Sequence, residues 1–537
     1  MLTLQGTIVL LTLTLFFSPL FILLWLFVVY LWDEKGFRKY PTQNWASGLT
    51  ALAYGWECGR EHKDFHSKRL HKALQKDPVM RIAPNWLAFG RSQAAKDIYG
   101  YTSRCCKAAS YDTLAQGGAN LNNISDKDFH AARRRMVASS YAPKRIEDWE
   151  PKIAESVADL MAQMDKRCTG HPGLDLFDAV HWMFLYSVES VIKVMLSKDV
   201  FFIRNGTDHV YFKDADGKNQ AVRLIDGVHS GQRAGVTLIW DAKGFPLWQR
   251  LTGLVSRMYA DNWQRAGRAH AAMEALTKER IERYKSGEEL NDLFQPMLED
   301  RNGEEPAITT GDRIAEVEQA VGPGTDGPAT SIAMALYYLI RNPHTLAQLR
   351  AELDSVMSPD DGVAPWSKVR NLPYLRACID ESLRLTPPIA TELSRRTPPD
   401  ASVIIDGEVV PPNTNVSIAA YTAHRDPSVF PDPETFDPSR WLAKGSDSLR
   451  NMLGVFIPFS AGIRGCIGRN VTILMQLVCL ATVVYHYDFA MPDPAYEMEF
   501  EETFNLWPLR LPLKVSRRDT AASPGQTVQA GASEKTD

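Results

Sequence analysis

Residues 459–470 read FSAGIRGCIGRN, and the reading of the chain turns on why one cysteine, Cys466, sits among three glycines and an arginine. Glycine loses more backbone freedom on folding than any other residue, so a cluster of them needs a geometric reason. Gly462, Gly465 and Gly468 permit a tight loop whose amides approach the sulfur closely. The segment that follows, GRNVTILMQLVCLATVV, has helical character, which places Cys466 at a helix N-terminus. There the dipole favours thiolate over thiol, and Arg464 adds a positive group. A shielded thiolate with amide donors suits a soft metal centre. Against this stands the ordinary fate of a lone cysteine, which is to act as a small buried hydrophobe.

The spacing decides between the two. Phe459, Gly462, Arg464, Cys466 and Gly468 spell F-x-x-G-x-R-x-C-x-G, which closely resembles the haem-binding loop of the cytochrome P-450 family. Other motifs agree. In DESLRLTPP, Glu381 and Arg384 share one helix face, which alone would be an ordinary ion pair. Downstream, FPDPETFDPSRW carries Phe436, Pro438, Arg440 and Trp441. By resemblance, Glu381, Arg384 and Arg440 form a structural charge network that holds the thiolate loop. In HAARRR, His130 and Arg134 are four apart, a spacing also met on a solvated basic face or a membrane-surface patch. The resemblance implies that His130 and Arg134 serve the haem propionates, together with Arg464 and with Arg395 or its neighbour Arg396. ALYYLIRNP and HRDP, residues 424–427, also occur in family order, so the resemblance covers nearly the whole chain.

What the resemblance implies is a haem-thiolate monooxygenase of EC 1.14 type. Cys466 is the metal ligand, and Phe459 and Gly468 frame it. The cofactor is haem b, iron protoporphyrin IX with an axial thiolate. The substrate is a lipophilic small molecule, oxidised with O2 in the manner of fungal secondary metabolism. No GxGxxG nucleotide fingerprint is present, so electrons come from an NADPH-cytochrome reductase, with cytochrome b5 as a second donor. Two alternatives stay open. One keeps the haem but catalyses desaturation, oxidative cyclisation or coupling, or rearrangement. The other is a haem-binding protein without turnover.

The pattern breaks at PGTDGPAT. The family's distal helix usually carries A/G-G-x-D/E-T, and here Gly327 holds the Thr position, with Pro328 after it. Pro328 removes an amide and crowds the carbonyl four residues back, so a broken helix with a widened, water-holding groove is expected. The proton relay then falls to Asp326 as the acidic member, with Thr325 or water. Ser331, one turn on, is a more distant substitute.

The remaining sequence sets the frame. The 537 residues carry a net charge of −4, which gives no indication of a nucleic-acid partner. Seven scattered cysteines with no CxxC pair speak against a disulfide scaffold or zinc ribbon and fit a reducing compartment. Residues 1–32 contain no charge, and Thr7–Trp32 as a helix would reach roughly 39 Å, enough for a hydrocarbon core of about 30 Å. Lys35, Arg38 and Lys39 follow, so the positive-inside rule leaves the rest in the cytosol. The organisation expected is a transmembrane anchor (1–32), a basic and proline-containing hinge (33–45), a catalytic domain (46–515) and a disordered tail (516–537). The location expected is the endoplasmic reticulum membrane, crossed once. The fold class is mainly α, an α+β mixture in one domain with small sheets. Strands are predicted in PVMRIAPNWLAFG and SVIIDGEVVPPNTNVSIAAY, and residues 201–222 read as a polar loop insertion.

Overall fold

Apolar residues recurring at the helical period give each long helix a face to bury, and eight helices built this way carry the core. They are α1 (Lys127–Val137), α2 (Ile146–Cys168), α3 (Ala179–Leu196), α4 (Leu224–Val236), α5 (Arg257–Lys285), α6 (Thr310–Arg341), α7 (Pro373–Leu385) and α8 (Arg469–His486). The structure, a computed structural model, describes residues 20–59, 65–114, 117–168, 176–214 and 216–519. Helix α6 packs against α3, α5, α7 and α8, and so runs through the middle of the molecule. Helix α3 is apolar and long enough to cross a membrane, but it is 94% buried inside the protein and is a core helix. Local chemistry starts the helices that matter most. The Asp126 carboxylate accepts the Phe129 N–H to begin α1, and the Thr309 hydroxyl accepts the Asp312 N–H to begin α6.

The strands are short. The largest sheet has five, β1 (Val79–Ala83), β2 (Trp86–Phe89), β3 (Cys106–Lys107), β4 (Arg395–Arg396) and β5 (Asn415–Ser417), in the order β1-β2-β5-β4-β3. Within it only the β5–β2 pairing is parallel. The DG turn foreseen between strands is present: Val403–Ile405 pairs with Glu408–Val410 across Asp406 and Gly407, both at positive φ. A mainly helical domain with small sheets is what the sequence predicts.

Three expectations need correction. Residues 201–222 are not a loop. Phe202–Asn205 is helical and His209–Lys213 pairs with Asn219–Arg223 as a hairpin. Val210 and Val222 are buried on its inner face, and the polar residues that misled lie in its turn, where Asp214 accepts the Lys218 N–H. The tail also begins later than residue 516. The strand Pro512–Arg517 pairs with Tyr487–Ala490, and Arg518 bonds Asp354 with two donors; residues 520–537 lie outside the described residues. The segment expected as a hinge makes contacts with the body of the protein. Phe37 is buried, and Lys35 donates to Asn85 and to the Asn413 carbonyl. Of the expected anchor, Leu20–Trp32 is an apolar helix whose side chains are mostly exposed, and residues 1–19 lie outside the described residues.

The third concerns α6, which is helical without interruption from Thr310 to Arg341 although Pro323 and Pro328 stand inside it. Each proline removes one intrahelical hydrogen bond, while packing on both sides holds the remainder in place. Pro328→Ala restores an N–H opposite the Gly324 carbonyl. We expect it to stabilise the fold by about 1–2 kcal/mol, the roughly 3 kcal/mol proline penalty offset in part by the apolar ring surface that alanine no longer buries. A shift of the urea midpoint measures this; a fall would show that the ring's packing outweighs the missing bond.

Candidate active site

The cysteine loop is built by backbone constraints. The Cys466 N–H donates to the Phe459 carbonyl and Gly465 N–H to the Gly462 carbonyl, closing two nested turns. Gly462 has φ +64°, and a Cβ there would meet the Tyr99 carbonyl oxygen at 2.4 Å, so no other residue fits. Helix α8 starts three residues after Cys466, and the N–H groups of Gly468 and Arg469 bond the sulfur. Solvent reaches the Cys466 side chain, yet the wider shell of protein desolvates it. Desolvation pushes the thiol up and outweighs the downward pull of those amides, Arg134 and Arg469. The helix terminus alone therefore does not make the thiolate, contrary to the sequence expectation; a bound cation at the sulfur would.

Behind the loop lies the network. Glu381 and Arg384 are both 0% exposed and pair through two hydrogen bonds of 2.9 Å. Glu381 also accepts from Arg440 at 3.0 Å, from the Asp437 N–H at 2.9 Å and from Trp441 Nε1 at 2.9 Å. Arg384 spends its remaining donors on the carbonyls of His424, Pro433 and Thr435. The expected trio is thus brought together. Sequence reasoning missed two further members. Trp441 supplies an indole donor, and His424 accepts the Ile457 N–H at 2.8 Å just before the cysteine loop. Burial, Arg384 and Arg425 push His424 down to about 3, so it is neutral and free to accept.

A second group gathers on the other side of the loop. Arg134 donates to the Gly465 carbonyl at 2.9 Å, and Arg464 donates to the carbonyls of Ile124, Ser125 and Asp126. Arg395 lies on β4 against Tyr99 and Tyr111. Its neighbour Arg396 points the other way along the strand alternation, toward Lys35. Lys107, which sequence reasoning passed over, joins from β3. These cations depress one another. Burial, Arg395 and Arg464 push Lys107 down to about 6, and burial, Arg464, Lys107 and Arg134 push His130 down to about 4. Among the described residues none of Lys107, Arg134, Arg395 and Arg464 has a carboxylate ion pair, and with Asp126 acting on Arg464 only at longer range the group keeps an excess of positive charge. Such a cluster is costly unless an anionic ligand joins it.

Helix α6 presents two faces. Pro323 is exposed, and a Cβ built at Gly327 meets nothing within 4 Å, so this face borders open space. Thr325 lies on the opposite side and Asp326 about a quarter-turn round from Gly327, and both are buried. Thr325 donates to the Val321 carbonyl. Asp326 accepts from Gln232 at 3.2 Å and from Asn505, and shares a hydrogen bond of 2.8 Å with His229 Nε2 whose direction follows the imidazole's protonation. Ser331 is committed elsewhere, to the Pro328 carbonyl and Gln476.

An accessible thiol and a wall of uncompensated cations meet the two needs of an iron porphyrin, a soft axial ligand and partners for two carboxylates. Fold and donor chemistry together define a haem-dependent oxidoreductase. The chain belongs to the cytochrome P450 family, whose model, described as "Cytochrome P450", matches residues 87–515. It resembles the cytochrome P450 monooxygenase poxM of Penicillium oxalicum, 27% identical over 85% of this chain and 84% of that one. It resembles hepC of Aspergillus oryzae at 27% identity over 88% of each, and tryprostatin B 6-hydroxylase of Aspergillus fumigatus at 25% over 88% and 80%. The crystal structure of the cytochrome P450DA haem domain superposes with a TM-score of 0.70 at 15% identity, covering 90% of this chain and 98% of that one, and shows the shared fold. The protein is a haem monooxygenase of fungal type, and the readings without turnover or without oxygen insertion are not favoured.

Arg384→Leu leaves the Glu381 carboxylate buried with its main partner gone, at a cost of about 3–5 kcal/mol. We expect loss of folded protein on expression. Arg440→Gln removes one charged hydrogen bond and should cost about 2 kcal/mol, read as a lowered denaturation midpoint with the protein still folded.

Proposed function

We propose that this chain hydroxylates or otherwise oxidises a lipophilic small molecule in fungal secondary metabolism, with Cys466 as the axial thiolate of haem b. The observation that carries the reading is the accessible Cys466 thiol, with amide donors on one side and nearby a cluster of basic side chains without a carboxylate ion pair among the described residues. Haem ligated in this way activates dioxygen for insertion into a C–H bond. The chain supplies everything else. Phe459, stacked under Arg469 at 5.6 Å, and Gly468 shape the sulfur's surroundings. Arg134, Arg395 and Arg464 hold the propionates, with His130 as a neutral donor beside them and Lys107 as a further donor. Glu381, Arg384 and Arg440 keep the loop in place. Asp326 handles protons, and water or a substrate hydroxyl occupies the space that a threonine at 327 would fill.

The names of the relatives support the monooxygenase reading, and the one substrate they print, tryprostatin B, belongs to that relative. The charge-free N-terminal run and the basic residues behind it support a single-pass anchor in the endoplasmic reticulum, with the catalytic domain cytosolic. Electrons then come from an NADPH-cytochrome reductase of the same membrane, with cytochrome b5 as an auxiliary donor.

Cys466→Ser tests the central assignment. The wild type, reduced under carbon monoxide, should show the red-shifted Soret band of thiolate ligation, and the variant should lose both that band and NADPH-supported oxidation. An unchanged band in the variant would refute it. Product analysis after deletion of the gene in its host identifies the substrate. A second variant, Gly327→Thr, introduces no clash, because the site is open. It should fold normally and raise product formed per NADPH consumed; an unchanged yield would mean that nothing is missing at this position.

A further inference from the structure

The Asp326 carboxylate is buried and bound by three side chains, and only one of the three can carry a proton. Gln232 and Asn505 are amides, which hold the carboxylate without titrating. His229 differs in chemistry and in position. Its Nε2 is 2.8 Å from Asp326 Oδ1, and its ring stacks on Trp507 with centroids 3.7 Å apart and planes at 21°. On its inner side the ring borders a small cavity shared with Thr325 and Asp326. On its outer side it lines a separate cleft of about 300 Å³ between α3, α4 and the hairpin of Phe500–Glu502 and Leu506–Pro508. That cleft is charged, with Asp178, Asp208, Arg223, Arg233 and Glu501 on its walls. Such a lining holds water. No other side chain among those bound to Asp326 reaches it.

We propose that His229 is the proton shuttle of Asp326, linking the charged cleft to the interior of the enzyme. This rests on the monooxygenase reading above and adds a positioning residue to it. The ring keeps its Nδ1 proton throughout. Swung toward the cleft along the face of Trp507, Nε2 takes a proton from water and the ring becomes imidazolium. Swung back, it breaks the Nε2–H bond and forms O–H on Asp326 Oδ1, leaving neutral imidazole and a neutral carboxyl. Asp326 then gives its proton to water at the adjacent open face beside Gly327 and is again a carboxylate held by Gln232 and Asn505. One proton moves inward per cycle and no other reagent is consumed. Histidine suits the task because its charge changes near neutral pH.

The experiment uses the haem-loaded full-length protein with a fungal NADPH-cytochrome reductase and no added substrate. Dioxygen then leaves as peroxide, or as water when protons arrive in time. His229→Gln retains an amide donor toward Asp326 but carries no proton. It should raise the peroxide-to-water ratio roughly tenfold, less than the ~100-fold contribution of a positioned proton donor because cleft water substitutes in part. Asp326→Asn should do the same, and it carries the measurement if the glutamine variant does not load haem. His270→Gln, at an exposed histidine paired with Glu318, should move the ratio less than twofold. Nitrogen-15 spectra of histidine-labelled protein give a readout independent of turnover, with the His229 signal assigned by its loss in the glutamine variant. Nδ1 should stay protonated across the titration while Nε2 changes state. A ratio unmoved in both His229→Gln and Asp326→Asn, or an Nδ1 without its proton and a permanently protonated Nε2, would overturn the proposal in favour of a purely structural bond. Absence of the thiolate carbonyl band in the wild type would count against the haem assignment instead.

Discussion

One carboxylate holds the catalytic half of this protein together. Glu381 is removed from water entirely, and an isolated charge there would be prohibitive. Five donors make it tolerable, and they come from α7 itself and from the segment 437–441. Arg384 then ties the same point to the backbone at 424, 433 and 435. A long excursion of chain is thereby fastened to one helix face by hydrogen bonds that leave no slack. Through His424 and the Ile457 amide the fastening continues to the start of the cysteine loop. Ion pairs of this kind are weak evidence for stability in general. Here the geometry gives a different benefit, a single allowed position for the loop that carries Cys466.

The opposite logic governs the cations around Arg464. Where Glu381 is over-satisfied, Lys107, Arg134, Arg395 and Arg464 share carbonyls and aromatic faces but, among the described residues, no carboxylate ion pair. Folding has gathered basic groups in one place, and burial first, then the neighbouring like charges, lowers Lys107 and His130. One cluster is complete in itself and serves as scaffold. The other is left with an excess of positive charge that an anionic ligand would balance.

The sequence made the parts of the site that depend on local spacing readable. The cysteine loop needs glycine at fixed offsets because backbone must pass close to backbone, as the 2.4 Å approach at Gly462 shows. Glu381 and Arg384 needed only the pitch of one helix. Contacts made across the fold left no such mark. His229 and Asn505 reach Asp326 from 97 and 179 residues away, and no period connects them. Lys107 and Arg395 meet because β3 pairs with β4, and the same pairing, by strand alternation, separates Arg395 from Arg396. Two local rules were given too much weight. Proline inside α6 predicted a break that packing on both flanks prevents, and polar residues at a hairpin turn masked the strands beside it.

The short stretch after the apolar N-terminal helix has a mechanical consequence. Arg81 of β1 sits 5.7 Å from the ring of Tyr30, within that helix, and 5.7 Å from the ring of Phe37, just after it. Phe37 itself is sunk into the body of the protein, and Lys35 is bolted to the backbone near β5. A mooring line lets a vessel swing; a bracket does not. Whatever surface takes up the helix also sets the attitude of the whole domain upon it, and with that the height at which a molecule leaving the surface meets the enzyme.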